Sequence, residues 1–346
     1  MRVKKEVICI LLMAMTMLLN ACSSDESGAQ TVTTGEEPVG KQVQLMTYAP
    51  YFTEKEAPRR APSGFTAYTP DKVTDIGIYM LESTTAPYTE NYIRYATKWY
   101  AHFDVDANTP YTVYGYMPKI TGMSSSLSSV TSDGATLTIN GIKPVTADDI
   151  CIITGVKETD TGLKEGQFGW SMAHANDNFY MYLLMDHLYA SVKFSLKVSE
   201  EYAQLRTIKL KTMTLSVNKA SVKADVTLHN TEGTSPITSV TYTLTTGDNC
   251  AAEIFNDAEG QALSSTTPIA VSACFVPTLS SNLTLFSTYD VYDSKGNLIR
   301  ANCEATNKIP NLEASRGQRV QLNMKVDPTY LYVMSDKDLD NLFTIE

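Results

Sequence analysis

From residue 43 onward the chain alternates apolar and polar positions with a period close to two. Val43-Gln44-Leu45-Met46-Thr47-Tyr48 predicts a first strand and Ile76 to Leu81 a second. Two aromatic and β-branched runs, Trp99 to Val105 and Tyr111 to Tyr116, flank Asp106-Ala107-Asn108-Thr109-Pro110, a turn composition that predicts a hairpin. Ala135 to Ile139 continues the pattern after Asp133-Gly134. In the second half, Ala190 to Val198 sets Val192, Phe194, Leu196 and Val198 on one face and Lys193, Ser195 and Lys197 on the other. Ser199 to Leu205 predicts a helical turn. Further strands are expected over Thr207–Val217, Ser239–Thr245, Leu283–Tyr292, Asn297–Cys303 and Val320–Val326, with a turn at Asp293-Ser294-Lys295-Gly296. No segment carries a helical period over more than about two turns, so the chain reads as an all-β protein built of half-buried sandwich strands.

The first forty residues follow a different rule. A cationic start (Arg2, Lys4, Lys5) precedes an apolar run from Val7 to Leu19, too short to span a bilayer comfortably, and Leu19-Asn20-Ala21-Cys22 closes it. Those four residues resemble the bacterial lipobox, which implies cleavage before Cys22 and lipidation of its sulfur. Acyl chains anchor through roughly 0.8 kcal/mol per buried CH₂, so several hold a chain at a membrane far better than one. Residues 23–38 are small, polar and acidic, as a tether is. The expected organisation is a signal peptide over 1–21, a tether over 22–41, and two β-sandwich domains over 42–181 and 182–346. The Gly-rich stretch 162–172 lies before that last boundary and the strand register restarts after it.

Composition narrows the function. The chain has 346 residues, long enough for two domains, and carries 28 Lys and Arg against 38 Asp and Glu, a net charge of −10. Residues 1–21 hold three cations and one anion, a net of +2, so removing them takes −10 to −12. Phosphate backbones demand clustered cations, so no nucleic-acid partner is expected. Only four histidines are present. His174 lies in a polar loop sequence, no GxSxG elbow exists, and His102 and His229 have no spaced partners, so no catalytic residues are expected and the chain does not read as an enzyme. His187, at the start of a strand, reads as structural, capping or hydrogen-bonding between domains. Asp104-Val105-Asp106-Ala107-Asn108 opens like a calcium loop, but Thr109 replaces the required glycine and Gly115 the bidentate glutamate, so a turn explains it better. Asp225, Asp248 and the pair Asp148-Asp149 read as isolated and solvated. Cys151, Cys250, Cys274 and Cys303 match no metal-binding spacing; they are either buried free thiols or hold a bridge within the last three. No cofactor or metal is expected.

Three features together carry a resemblance. The lipobox and acidic tether lead into an early strand. A Trp-x₁₁-Tyr-x-Val-Tyr-x-Tyr-x-Pro hairpin (Trp99, then Tyr111 to Pro118) follows, and a Met-Asp-His-Leu-x-Ala-x-Val-x-Phe-x-Leu strand (Met185 to Leu196) opens the second half. In this order and spacing they resemble the fimbrillin family of Bacteroidetes, the subunits of type V pili. The resemblance implies two tandem β-sandwich domains of transthyretin-like topology. It also implies an outer-membrane lipoprotein exposed at the cell surface, and a trypsin-like protease that removes the first strand after an arginine. A strand donated by another pilus subunit then fills the vacated groove.

Two segments suit those roles. Glu54-Lys55-Glu56-Ala57-Pro58-Arg59-Arg60-Ala61-Pro62 is a Pro-rich dibasic stretch after the first strand, so Arg59 or Arg60 is the candidate cleavage site. Near the other end, Thr329 precedes Tyr330, Leu331, Tyr332, Val333 and Met334, which alternate after Asp327-Pro328 and form the candidate donor strand. Alternatively that segment pairs within its own domain. The competing function is a surface glycan-binding lipoprotein, for which Trp99, Tyr100 and Trp170 would be the stacking residues.

Overall fold

The computed structural model describes residues 43–54, 65–70, 72–174, 179–231, 235–277, 281–312, 314–326 and 343–345. Within them the chain is all-β, with strands in four sheets. The expected helical turn is the short helix α1 (Glu200–Leu205), capped by Ser199, whose hydroxyl accepts from the Tyr202 amide at 3.3 Å. Among the described residues no helix is long and apolar enough to cross a membrane.

The first sheet contains β1 (Gln44–Pro50), β3 (Phe65–Tyr68), β4 (Thr74–Leu81), β5 (Asn91–Tyr95), β6 (Trp99–Ala101), β7 (Pro110–Met117), β10 (Cys151–Lys157), β11 (Gly169–Ser171) and β12 (Tyr180–His187). Its order is β3-β1-β12-β10-β7-β4-β5-β6, with β11 also on β7. The second sheet joins β2 (Thr53–Glu54), β13 (Ala190–Val198), β18 (Ile269–Ala270), β19 (Cys274–Val276), β22 (Gln318–Val326) and β23 (Phe343–Ile345). The third runs β16 (Ile237–Thr245), β15 (Ser221–His229), β9 (Gly134–Ile142), β8 (Ser124–Thr131), and the fourth β17 (Cys250–Ala262), β14 (Arg206–Val217), β20 (Ser281–Asp293), β21 (Leu298–Leu312).

Three apolar cores fill the spaces between. β4 and β7 are buried on both faces. Tyr79, Tyr114 and Tyr116 meet Leu137, Ile139 and Val226 of the third sheet, while Ile76, Ile78 and Val113 face a second core with Val43, Leu45, Trp170 and Met181. The first sheet curls so that β1 lies against β6, which encloses that second core. Phe194, Leu196, Leu210, Leu215 and Leu285 build the third core, between the second and fourth sheets.

Several strands pair otherwise than their sequence suggests. The expected hairpin of Trp99–Val105 with Tyr111–Tyr116 does not form: β6 pairs with β5, and β7 pairs with β4, β10 and β11. A strand buried on both faces needs ladders on both edges, and β7 finds them in partners distant in sequence. Met185 to Leu196 is not one strand either. The chain leaves the first sheet at His187, passes Leu188-Tyr189, and enters the second at Ala190. The third sheet takes β8 and β9 from before residue 181 and β15 and β16 from after it, with Leu137 opposite Val226, so strand pairing crosses the boundary expected there.

Candidate functional site

Residues 44–54 run across two sheets. β1 lies parallel to β12, Gln44 opposite Tyr180 through Tyr48 opposite Leu184, and antiparallel to β3 on its other edge. Val43, just before it, and its residues Leu45, Thr47 and Ala49 point inward, each 6% exposed or less, while Gln44, Met46, Tyr48 and Pro50 face outward. Two residues later β2 lies parallel to β22, Thr53 opposite Gln318 and Glu54 opposite Arg319. The Thr53 amide donates to Gly317 O at 3.0 Å.

The crossing is held by His187. Its Nε2 bonds the carbonyl of Pro50 at 2.7 Å, and the ring of Phe52 stacks on the imidazole at 3.7 Å between centroids. Phe275 packs against Phe52 at 5.7 Å, and the Arg319 guanidinium lies 5.8 Å from that ring. On the other side of the imidazole, Nδ1 meets Asp149 Oδ2 at 2.8 Å and Cys151 Sγ at 3.7 Å. Asp186, next to the histidine, pairs with Arg316, which also donates to His187 O at 3.1 Å. Burial works against the imidazolium, but the hydrogen bond and charge of Asp149, aided by the Pro50 carbonyl, outweigh it and hold the His187 pKa above its ordinary value. Burial and the Asp149 charge push the Cys151 thiol well up. The ligand atoms of Asp149, Cys151 and His187 lie within 4.8 Å of one another.

The edge of β22 facing away from β13 is shared. β2 covers it at Gln318 and Arg319, and β23, from the end of the chain, covers it antiparallel from Met324 to Val326. Residues shortly after the first strand and residues from the C-terminus thus occupy the same sheet edge.

Cys22, Arg59, Arg60 and the stretch Tyr330, Leu331, Tyr332, Val333, Met334 lie outside the described residues, as does the side chain of His174. The three glycan-stacking candidates do not make a platform. Trp170 is 1% exposed with its Nε1 donating to Tyr180 O at 3.1 Å, and Trp99 is 8% exposed against Tyr95, so neither offers a face to a sugar. Tyr100 is half-buried beside Lys98. Cys151, Cys250, Cys274 and Cys303 are all free thiols, so no bridge joins the last three. His102 stacks on Tyr92, and Asp106 Oδ1 accepts the Asn108 amide at 2.7 Å, closing a turn. Asp148 and Asp149 are not both solvated: Asp148 reaches Lys72, but Asp149 turns inward to His187. Sequence reasoning missed this group. Its one signal is that Asp149 and Cys151, two apart at the start of a strand, project to the same side.

No family model matches the chain, and no curated protein does. Among solved structures it is similar to a candidate cell adhesion protein of Bacteroides ovatus, at 11% identity and TM-score 0.42, over 88% of this chain and 95% of that one. It is likewise similar to a fimbrial protein of Bacteroides vulgatus, at 14% identity and TM-score 0.39, over 88% and 97%. The fimbrial anchor protein Mfa2 of Porphyromonas gingivalis matches at 9% identity and TM-score 0.28, over 87% and 95%.

Proposed function

We propose that this chain is a structural or adhesive subunit of a type V surface pilus, exported as an outer-membrane lipoprotein through Cys22 and assembled by strand donation after cleavage at Arg59 or Arg60. The observation that carries the proposal is the course of residues 44–54. They add one parallel strand to the first sheet and a short parallel strand to the second, so a cut after Arg59 or Arg60 severs every residue of both from the rest of the chain. Removal would bare a ladder edge along Tyr180–Leu184 and the apolar side chains of Met181 and Leu183, now buried. An extended segment of another subunit that restores backbone hydrogen bonds and alternate apolar contacts fits such a groove. Addition of one subunit's strand to the next is heterologous and does not close, so it yields a filament.

Treating the surface-expressed protein with an arginine-specific protease is expected to produce SDS-resistant ladders whose subunits begin at Ala61 or at Arg60. Arg59→Ala with Arg60→Ala is expected to abolish them. Ladders built from chains that still carry residues 43–54 would refute the proposal.

A further inference from the structure

We propose that Asp149, Cys151 and His187 form a binding site for one divalent transition-metal ion, with zinc the best match to the donor set. The three come from two neighbouring strands and their ends: Cys151 opens β10, Asp149 precedes it on the same side, and His187 closes β12, directly opposite Cys151 in the antiparallel register. Nδ1 of His187 is the convergence point, with Oδ2 of Asp149 at 2.8 Å and Sγ of Cys151 at 3.7 Å. Tetrahedral zinc bonded to N and O at roughly 2.0–2.2 Å and to S at roughly 2.3 Å holds its ligand atoms about 3.3–3.6 Å apart. The sulfur already stands close to that separation from Nδ1, and all three ligand atoms lie within 4.8 Å of one another, so the carboxylate must shift to close on an ion.

Three further observations point to a ligand rather than to an ion pair alone. Asp149 Oδ1 is buried without a hydrogen-bond partner, which an Asp–His pair leaves unexplained and a second bond to a metal would satisfy. The other ring nitrogen is fixed by the Pro50 carbonyl at 2.7 Å and the ring face by Phe52, the outer support that metal-bound histidines characteristically have. The site is enclosed on two sides and touches solvent on the third: Cys151 is 1% exposed and His187 3%, while the Asp149 side chain is 16% exposed.

The charges balance. Without metal, an imidazolium, a carboxylate and a neutral thiol sum to zero. With M²⁺, the ion displaces the Nδ1 proton and the thiol proton, and a neutral imidazole, a carboxylate and a thiolate again give zero. One ion enters and two protons leave, so nothing charged in excess is buried. A soft sulfur beside a nitrogen and an oxygen favours zinc over magnesium or calcium. Because the same imidazole holds Pro50 and Phe52, the ion would stiffen the attachment of residues 44–54.

Purified tag-free chain titrated with Co²⁺ is expected to take up one ion, with thiolate-to-cobalt charge-transfer absorption that zinc abolishes. The zinc form should show, by X-ray absorption, one sulfur at about 2.3 Å and light atoms at about 2.0–2.2 Å. Cys151→Ser should lose the charge-transfer band, and Asp149→Asn should weaken binding by about tenfold or more, while Cys274→Ala changes neither. If these variants fail to fold, the wild-type absorption spectrum still decides. Absence of saturable binding, a coordination sphere with no sulfur or several, or a charge-transfer band that survives in Cys151→Ser overturns the proposal.

Discussion

Leu45→Ala tests what holds residues 44–54 in place. Leu45 is 2% exposed, points into the core that contains Trp170 and Met181, and sits opposite Met181 in the parallel ladder. Truncating a buried leucine costs about 2–5 kcal/mol, the transfer of the lost atoms plus the cavity left behind. β1 lies one strand in from the sheet edge, where β3 is mostly exposed and the walls can relax, so the lower part of that range, about 2–3 kcal/mol, applies. In a chain carrying a specific protease site within residues 55–64, cleavage leaves the segment held without a covalent bond. Its release can be followed by a dye on the N-terminal fragment, with excess unlabelled peptide of residues 43–54 to block rebinding. At 1.4 kcal/mol per factor of ten, and with the loss expressed in the off-rate, Leu45→Ala should speed release about 30- to 150-fold. Met46→Ala alters the neighbouring outward side chain, 38% exposed, and should stay within about 0.5 kcal/mol, or roughly twofold. Equal rates for the two variants, or a Leu45→Ala rate within twofold of the parent, would show that the alternate inward side chains do not hold the segment.

Other expectations concern the scaffold and the donor. Asn302 sits at φ 52°, its amide donating to Asp290 Oδ1 at 2.7 Å; by denaturant unfolding Asn302→Val should cost about 1–2 kcal/mol and Asn302→Gly much less. Asp290 is buried, which disfavours its charge, but the Asn302 amide and Lys211 at 3.1 Å outweigh that and lower its pKa below 3.8. Its stabilising contribution is therefore complete above the ordinary carboxylate pKa and fades as pH falls through the depressed value; Asp290→Asn should flatten the acid limb of a stability-against-pH curve measured below about pH 4. Gly166 has φ +79° and a Cβ there would meet Thr231 O at 1.8 Å, whereas Gly122, at φ +90°, has open space. Thermal unfolding should show Gly166→Ala far more damaging than Gly122→Ala, which costs about 1 kcal/mol. If residues 330–334 are donated, Leu331→Asp should stop ladder formation while leaving the uncleaved monomer's melting temperature unchanged; persistence of ladders would exclude that segment.

Local patterns are legible where one face is buried and the other wet. Ala190 to Val198 alternates strictly, and β13 has those bounds; Asp293 to Gly296 forms the turn its residues suggest, with Asp293 Oδ1 accepting the Lys295 and Asn297 amides. Sheet membership is not legible, because a period of two says which face is buried and not which strand lies alongside. Leu188, Tyr189 and Ala190, consecutive and fully buried, interrupt the alternation of Met185 to Leu196 where the chain changes sheets, but an apolar run alone does not say which sheet receives the next strand. Tyr111 to Met117 is apolar on both faces, which fits several partners equally, and the nearest in sequence is not the one chosen. The candidate site was harder still. Asp149 reads as half of a solvated acidic pair until strand pairing brings His187 across from Cys151.

The side chains of β1 also constrain what could take its place. Val43, just before it, and its inward residues Leu45, Thr47 and Ala49 are small to medium in volume and without an aromatic ring. A core packed to crystal density does not admit extra volume without strain of about 1–3 kcal/mol per enlarged side chain. A strand that entered with Tyr330, Tyr332 and Met334 inward would exceed the vacated volume at successive positions, whereas Leu331 and Val333, two apart, are the same two aliphatic residue types as Val43 and Leu45, in the reverse order. The register that satisfies packing is therefore the one with Leu331 and Val333 toward the core and the tyrosines outward. Shifting a strand by one residue exchanges its faces, so tyrosine bulk would act against the slipped register as strongly as leucine and valine favour the correct one. If residues 330–334 are donated, their aromatic residues would exclude the wrong alignment and the two aliphatic residues would carry the attachment.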